Sequence, residues 1–408
     1  MTKVDRPLTA AEMGLMTGSP PAKDKQVTVD KWQVTPWNRW SFQHMREVIP
    51  SARIWRGDGP VTELERDPAS VDDVEFETMA GETEKVAAFL ERTYTDGFLV
   101  LRHGRVVTEQ YFNGMMPHSR HLLMSVSKSM TGALSGVLVE RGLIEPARVV
   151  SHYVPELSAT SFEGATVRQV LDMSTGTKFS EDYTDPEAEV CVYESAAGWR
   201  PVPSGGDDDL DLFLYILQLQ NSRPHGERFE YRSILTDLLG WIIERATGRR
   251  FADLMSEFIW APLGAESDAE ICVDRHGNPM TDGGISLALR DMARFGQMYQ
   301  RRGSWNGQQI LPAHWVDDTR YGDETCRQAF ANSDLAGLYP EGHYRNQWWV
   351  PNSEAGIVLA AGIYGQFIYI NMPADVIVVK QSSLSFALDP ANSADHRRAF
   401  ASIVKAVA

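Results

Sequence analysis

Between Ser125 and Glu140, apolar residues recur every three or four positions, at Val126, Met130, Ala133, Leu134, Val137 and Leu138. That spacing lines one face of an α-helix. Gly142 and then Pro146 follow, so the helix is predicted to stop at a glycine cap. Upstream, Phe98-Leu-Val-Leu-Arg102 and Arg105-Val-Val-Thr-Glu-Gln-Tyr-Phe112 flank His103-Gly104, the pattern of a β-hairpin. Near the C-terminus, residues 356–361, 366–371 and 376–381 predict three successive strands with a turn at Met372-Pro-Ala-Asp375, and residues 393–407 predict a closing helix. Further helices are predicted over 167–173, 210–219 and 234–246. The most apolar run, from Ala355 to Ile363, falls short of the roughly 20 residues that cross a bilayer and is read as a core strand.

Strands early and late with helices between them predict an α/β fold. Its antiparallel sheet, flanked by helices, is built from both ends of the chain, and a mostly helical domain is inserted in the middle. The expected division is an N-terminal arm over 1–40, an α/β domain from 41–117 together with 245–408, and a helical domain over 118–244 that carries the helix beginning at Ser125. Trp32, Trp37, Trp40 and Phe42 are expected to dock the end of the arm onto the body. A cleft between the two domains is the natural place for a site.

Composition narrows the partners. The 408 residues carry 39 Lys and Arg against 55 Asp and Glu, a net charge of −16, which argues against nucleic acid. Cys191, Cys272 and Cys326 are too few and too scattered for a disulfide framework or a cysteine zinc site, so a reducing compartment fits. The first 25 residues lack the apolar stretch and cleavage site of a secretory signal, and a cytoplasmic location with no membrane partner is expected. The acidic stretch Ser204-Gly-Gly-Asp-Asp-Asp209 is read as a solvated loop. A homodimer is the commonest assembly for such a chain.

The residues that carry chemistry start with Ser125-Val126-Ser127-Lys128. Positions i and i+3 share a helix face, so the hydroxyl and the amine can meet, and a desolvated lysine can act as a base. The first helical turn also favours developing negative charge. Read from these residues alone, the motif fits an activated nucleophile and equally a pair of polar first-turn residues. A second match, Ser402-Ile-Val-Lys405, lies on the terminal helix, where nothing downstream completes a site. No serine has glycine at both −2 and +2, no HExxH occurs, and neither GxGxxG nor GxxxxGK[ST] is present. His118 and His121 lack a nearby carboxylate cluster and are read as structural rather than metal-binding.

Ser125 and Lys128, Tyr231-Arg232-Ser233 about a hundred residues on, and Gly362-Ile-Tyr-Gly-Gln366 together resemble the three-motif layout of the serine β-lactamase and penicillin-binding-protein superfamily, in its class C and esterase branch. NRWSFQHMREVIPSA from Asn38, TYTDGFLVLRHG from Thr93, RHLLMSVSKSM from Arg120, EDYTDPEAEV from Glu181, SAAGWR from Ser195 and NQWW from Asn346 are similar to the 6-aminohexanoate-dimer hydrolases, which act on nylon oligomers. The resemblance implies Ser125 as the acylated serine, Lys128 as its base and Tyr231 as the hydroxyl relaying a proton to the leaving group. It implies the backbone N–H groups of Ser125 and Ile363 as an oxyanion hole, and no metal or organic cofactor. Tyr183, Glu194, Asp282 and Tyr364 would line the substrate site, with Glu194 facing a substrate ammonium. Asp282 stands where the family pattern carries a different polar residue. The late strand has Tyr364-Gly365-Gln366 where β-lactamases and penicillin-binding proteins place a cation, which favours small-molecule amides and esters over β-lactams.

Overall fold

The computed structural model describes residues 6–185, 187–202, 206–207 and 209–408. In chain order its main elements are β1 (Ser51–Ile54), α1 (Val86–Arg92), β2 (Thr95–Arg102), β3 (Arg105–Tyr111), β4 (Arg120–Leu122), α2 (Val126–Glu140), α3 (Val167–Leu171), α4 (Glu189–Ala196), α5 (Leu212–Gln218) and α6 (Ile234–Thr247). There follow β5 (Ala269–Cys272), β6 (Ile285–Ala288), α7 (Leu289–Gln300), β7 (His343–Arg345), β8 (Trp348–Asn352), β9 (Ile357–Gly362), β10 (Gln366–Asn371), β11 (Val376–Ser382) and α8 (Pro390–Val407).

The larger sheet has seven antiparallel strands in the order β7-β8-β9-β10-β11-β2-β3, so both ends of the chain build it. The seam is β11 against β2, with Val378 opposite Val100. Successive side chains of a strand point to opposite faces. Leu99, Leu101, Ile377 and Val379 therefore enter the core shared with Phe295 of α7, while Phe98, Val100, Val376 and Val378 pack with Phe89 of α1 and Phe400 of α8. Burial on both faces explains why these strands read as continuous apolar runs.

A second sheet of four short strands, in the order β1-β5-β6-β4, was not signalled by the sequence pattern. It includes β4, which leads directly into α2 and pairs with β6. Two predicted helices are shorter than their apolar windows: α3 ends at Leu171 and α5 begins at Leu212, where the Asp211 side chain caps the Leu214 N–H, whereas α6 and α8 run slightly beyond theirs.

The aromatic arm docks as expected. Trp32 is buried, donates from its indole to the Trp199 carbonyl at 2.8 Å and packs edge-on to the Trp199 ring. His121 is buried against Asp96 at 3.0 Å and His118 is exposed, so the two do not converge. Cys191, Cys272 and Cys326 are buried and unpaired. Of the acidic stretch, Ser204, Gly205 and Asp208 lie outside the described residues, and Gly206, Asp207 and Asp209 are exposed. Among the described residues no helix is long and apolar enough to cross a membrane.

Candidate active site

Ser125 caps the start of α2 (φ −64°, ψ −6°) directly after Met124, which is held at φ +47°. A left-handed methionine is strained. It turns the chain sharply from β4 into the helix. Three helix residues tie the segment from Thr281 to Ile285 alongside. The Ser127 hydroxyl accepts from the Ile285 N–H at 3.1 Å, Lys128 Nζ donates to the Asp282 carbonyl at 2.8 Å, and the Thr131 hydroxyl donates to the Thr281 carbonyl at 3.0 Å. On the other flank the Ser129 hydroxyl donates to the Gln347 carbonyl at 2.8 Å, while the Thr236 hydroxyl of α6 reaches Gln347 Oε1 at 2.7 Å. Gly132 has no side chain because the Asn346 carbonyl occupies that space, 2.2 Å from where a Cβ would sit. The Asn346-Gln-Trp-Trp segment thus sets the helix position.

Lys128 is buried and its Nζ donates to Ser125 Oγ at 2.8 Å. Tyr231 faces both groups: Nζ lies 5.3 Å from its ring centroid, and the ring stacks on Trp349 at 5.2 Å. The structure therefore brings together all three residues expected from the motifs.

The backbone completes the group. Neither the Ser125 nor the Ile363 N–H donates to a backbone carbonyl among the described residues. At Gly362 an added Cβ would lie 2.6 Å from the Leu123 carbonyl and 3.0 Å from the Ser125 nitrogen. Only glycine lets the end of β9 approach the start of α2 so closely. Tyr364 (φ +61°) and Gly365 (φ +90°) then turn the chain into β10. Gly362→Ala is expected to push the two donors apart and lower kcat by at least about tenfold with little change in KM, because such donors act mainly on charge that develops in the transition state. Unchanged kcat would remove Ile363 from this role.

Charges gather around Lys128. Burial works against the ammonium, but Tyr231, Asp282, Glu181 and Asp237 together raise its pKa above the ordinary lysine value. Tyr231 is also pushed up, because burial outweighs the help of Lys128. Asp237 is raised well above the carboxylate range by burial and by Asp282, and it accepts from the Tyr193 hydroxyl and, at 3.1 Å, from the Asp282 N–H. Glu181 is raised by burial and accepts from the Ser233 N–H, turning inward beside Lys128 rather than standing at the cleft mouth. Asp237 and Tyr193 had no motif to announce them, and Glu181, which opens the EDYTDPEAEV stretch, had no role assigned to it.

A narrow cleft opens onto Ser125, bounded by Tyr183, Tyr193, Glu194, Trp199, Asp282 and Ile363 among others. Tyr183 and Asp282 both line this cleft. Glu194 lines the cleft, but its oxygens accept from Arg200 Nε and, at 3.4 Å, from Gln33 Nε2, so its charge is already compensated and is not free for a substrate ammonium. Tyr364 departs further from expectation: its ring packs edge-on to Phe42 at 5.2 Å and is buried outside the cleft lining.

The family described as Beta-lactamase matches residues 83–402. The chain is 39% identical over 364 residues to a 6-aminohexanoate-dimer hydrolase of Paenarthrobacter ureafaciens, covering 89% of this chain and 90% of that protein. A Bacillus anthracis structure provisionally named a 6-aminohexanoate-dimer hydrolase superposes with a TM-score of 0.86 at 28% identity, over 95% of this chain and 99% of that one. A family VIII carboxylesterase shares the fold alone, with a TM-score of 0.56 at 16% identity over 78% of this chain and 95% of that one.

Proposed function

The chain belongs to the β-lactamase family, and from that premise we propose that it is a serine hydrolase which forms an acyl-enzyme at Ser125 and acts on short linear amides and esters. The observation that carries the reading is the contact of Ser125 Oγ with Lys128 Nζ, next to Tyr231 and two unengaged backbone N–H groups.

In the first step Ser125 Oγ bonds to the substrate carbonyl carbon while its proton passes to the Lys128 and Tyr231 pair. The carbonyl oxygen becomes an anion, to which the Ser125 and Ile363 N–H groups donate. The pair then returns the proton to the departing nitrogen or oxygen as the carbon–heteroatom bond breaks. Water repeats the sequence on the acyl-enzyme and releases the acid. The reading needs no cofactor, and unpaired buried cysteines agree with a cytoplasmic setting. Similarity to 6-aminohexanoate-dimer hydrolase makes that linear dimer the first amide to test. A parallel assay with a butyrate ester, the dimer and a chromogenic cephalosporin is expected to show turnover of the ester, and turnover of the cephalosporin alone would overturn the reading.

The protonation states set a pH dependence. At rest the pair holds two protons, one on the Lys128 ammonium and one on the Tyr231 phenol, and accepting the serine proton requires that one be absent. Both groups sit above their ordinary values, so the reactive form is a minority near neutrality and grows as pH rises. The expected kcat/KM on a neutral ester climbs through the alkaline range, roughly tenfold per pH unit on the rising limb. A profile flat from mildly acidic to alkaline pH would contradict this assignment.

A further inference from the structure

Asp282 is placed by its backbone as much as by its side chain. Its N–H donates to Asp237 Oδ1 at 3.1 Å, its carbonyl accepts from Lys128 Nζ at 2.8 Å, and its carboxylate Oδ2 lies 3.6 Å from the same nitrogen. The other oxygen, Oδ1, is buried with no hydrogen-bond partner among the described residues, and the residue as a whole is only 8% exposed. A buried carboxylate without donors depends on a nearby cation. Lys128 is that cation. The reciprocal dependence has a consequence, because Lys128 also contacts Ser125.

We propose that Asp282 is a positioning residue that holds Lys128 cationic and anchored beside Ser125, and so sets the pH range in which the site works. The inference rests on the acyl-enzyme reading above. It assigns the Asp282 side chain to Lys128, a role different from contact with the substrate. The other groups facing Lys128 are Tyr231 from the segment before α6, Glu181 from the loop before α4, and Asp237 from α6. Asp237, pushed up by burial, accepts from the Tyr193 hydroxyl and, at 3.2 Å, from the Thr281 hydroxyl, and Glu181 is engaged by the Ser233 N–H. Glu194, which also faces Asp282, is compensated by Arg200. Asp282 is thus the carboxylate closest to Nζ whose charge has no other partner.

The test measures kcat/KM of the full chain on neutral p-nitrophenyl acetate across pH for the wild type, Asp282→Asn, Asp282→Ala and Asp282→Glu, with Tm as a check of folding. A neutral ester offers Asp282 no charge to bind, so an effect on its profile reports on the site itself. Asp282→Asn keeps the size and the backbone carbonyl and removes only the charge. It is expected to displace the rising limb to lower pH by about one unit, in keeping with the effect of a close opposite charge. Asp282→Glu restores the wild-type limb, and Asp282→Ala gives the same answer if the Asn variant fails to fold. The pH dependence of Ser125 phosphonylation by a neutral fluorophosphonate shifts in parallel. An unmoved limb in Asp282→Asn, with only KM for amino-terminated substrates altered, would overturn the inference and leave the acyl-enzyme reading intact. Absence of Ser125 phosphonylation in the wild type would instead end the underlying reading.

Discussion

Ser125→Ala lowers p-nitrophenyl butyrate turnover by at least about a thousandfold, since removing the nucleophile of a catalytic group leaves only binding and oxyanion stabilisation. No neighbouring hydroxyl can replace it. Ser127 Oγ is buried and engaged by the Ile285 N–H, and Ser129 Oγ is buried and donates to the Gln347 carbonyl. The variant also folds. The Ser125 hydroxyl makes one hydrogen bond among the described residues, from Lys128, and losing one such bond costs about 1 kcal/mol. A steady-state assay with Tm measured in parallel separates lost chemistry from lost structure. An Ser125→Ala protein of wild-type activity would end the account.

Tyr231→Phe gives the second large effect, and its form is more telling than its size. The phenyl ring keeps its stacking on Trp349, so the site retains its shape while the proton carrier is removed. General acid–base assistance contributes about 10²–10⁴ in rate. A departing amine must receive a proton before it can leave, whereas p-nitrophenolate leaves without one. Amide turnover is therefore expected to fall by about a hundredfold or more, with a distinctly smaller loss on p-nitrophenyl esters. Equal losses on both substrates would assign Tyr231 to shaping the cleft. The measurement compares kcat on the linear dimer and on the ester for both proteins.

The elements that local pattern decides were legible from the residues. The helix from Val126 to Glu140 carries apolar residues every three or four positions, although the structure buries it on every side from Val126 to Leu138, and the hairpin from Thr95 to Tyr111 turns at His103-Gly104 where both residues take positive φ. Strand pairing of both chain ends followed from their order. The four-stranded sheet did not follow, because its strands have three or four residues each, too few to show a period.

Ser125 and Lys128 were legible because they are three residues apart on one helix, and Tyr231 through its family motif. What surrounds them was not. Asp282 meets Lys128 across 154 positions of sequence, and Asp237 meets Asp282 across 45. No periodicity records such contacts, yet Asp282 and Asp237 are among the charges that raise the Lys128 pKa. Glu194 shows a different limit: its partner Arg200 lies six residues on, past the end of α4, outside any helical pairing rule. Tyr364 was placed by its motif, but it stands at positive φ with its ring packed on Phe42, outside the lining of the cleft at Ser125.

The claim that Ser125 is the nucleophile is tested most directly by covalent labelling. The intact chain is treated with a fluorophosphonate, its mass is measured, and the modified peptide is mapped. The account predicts one phosphonyl group per chain, carried on Ser125, with fluoride released and labelling abolished in Ser125→Ala. A chain that stays unlabelled, or that carries the group on another residue while Ser125 is free, would contradict it.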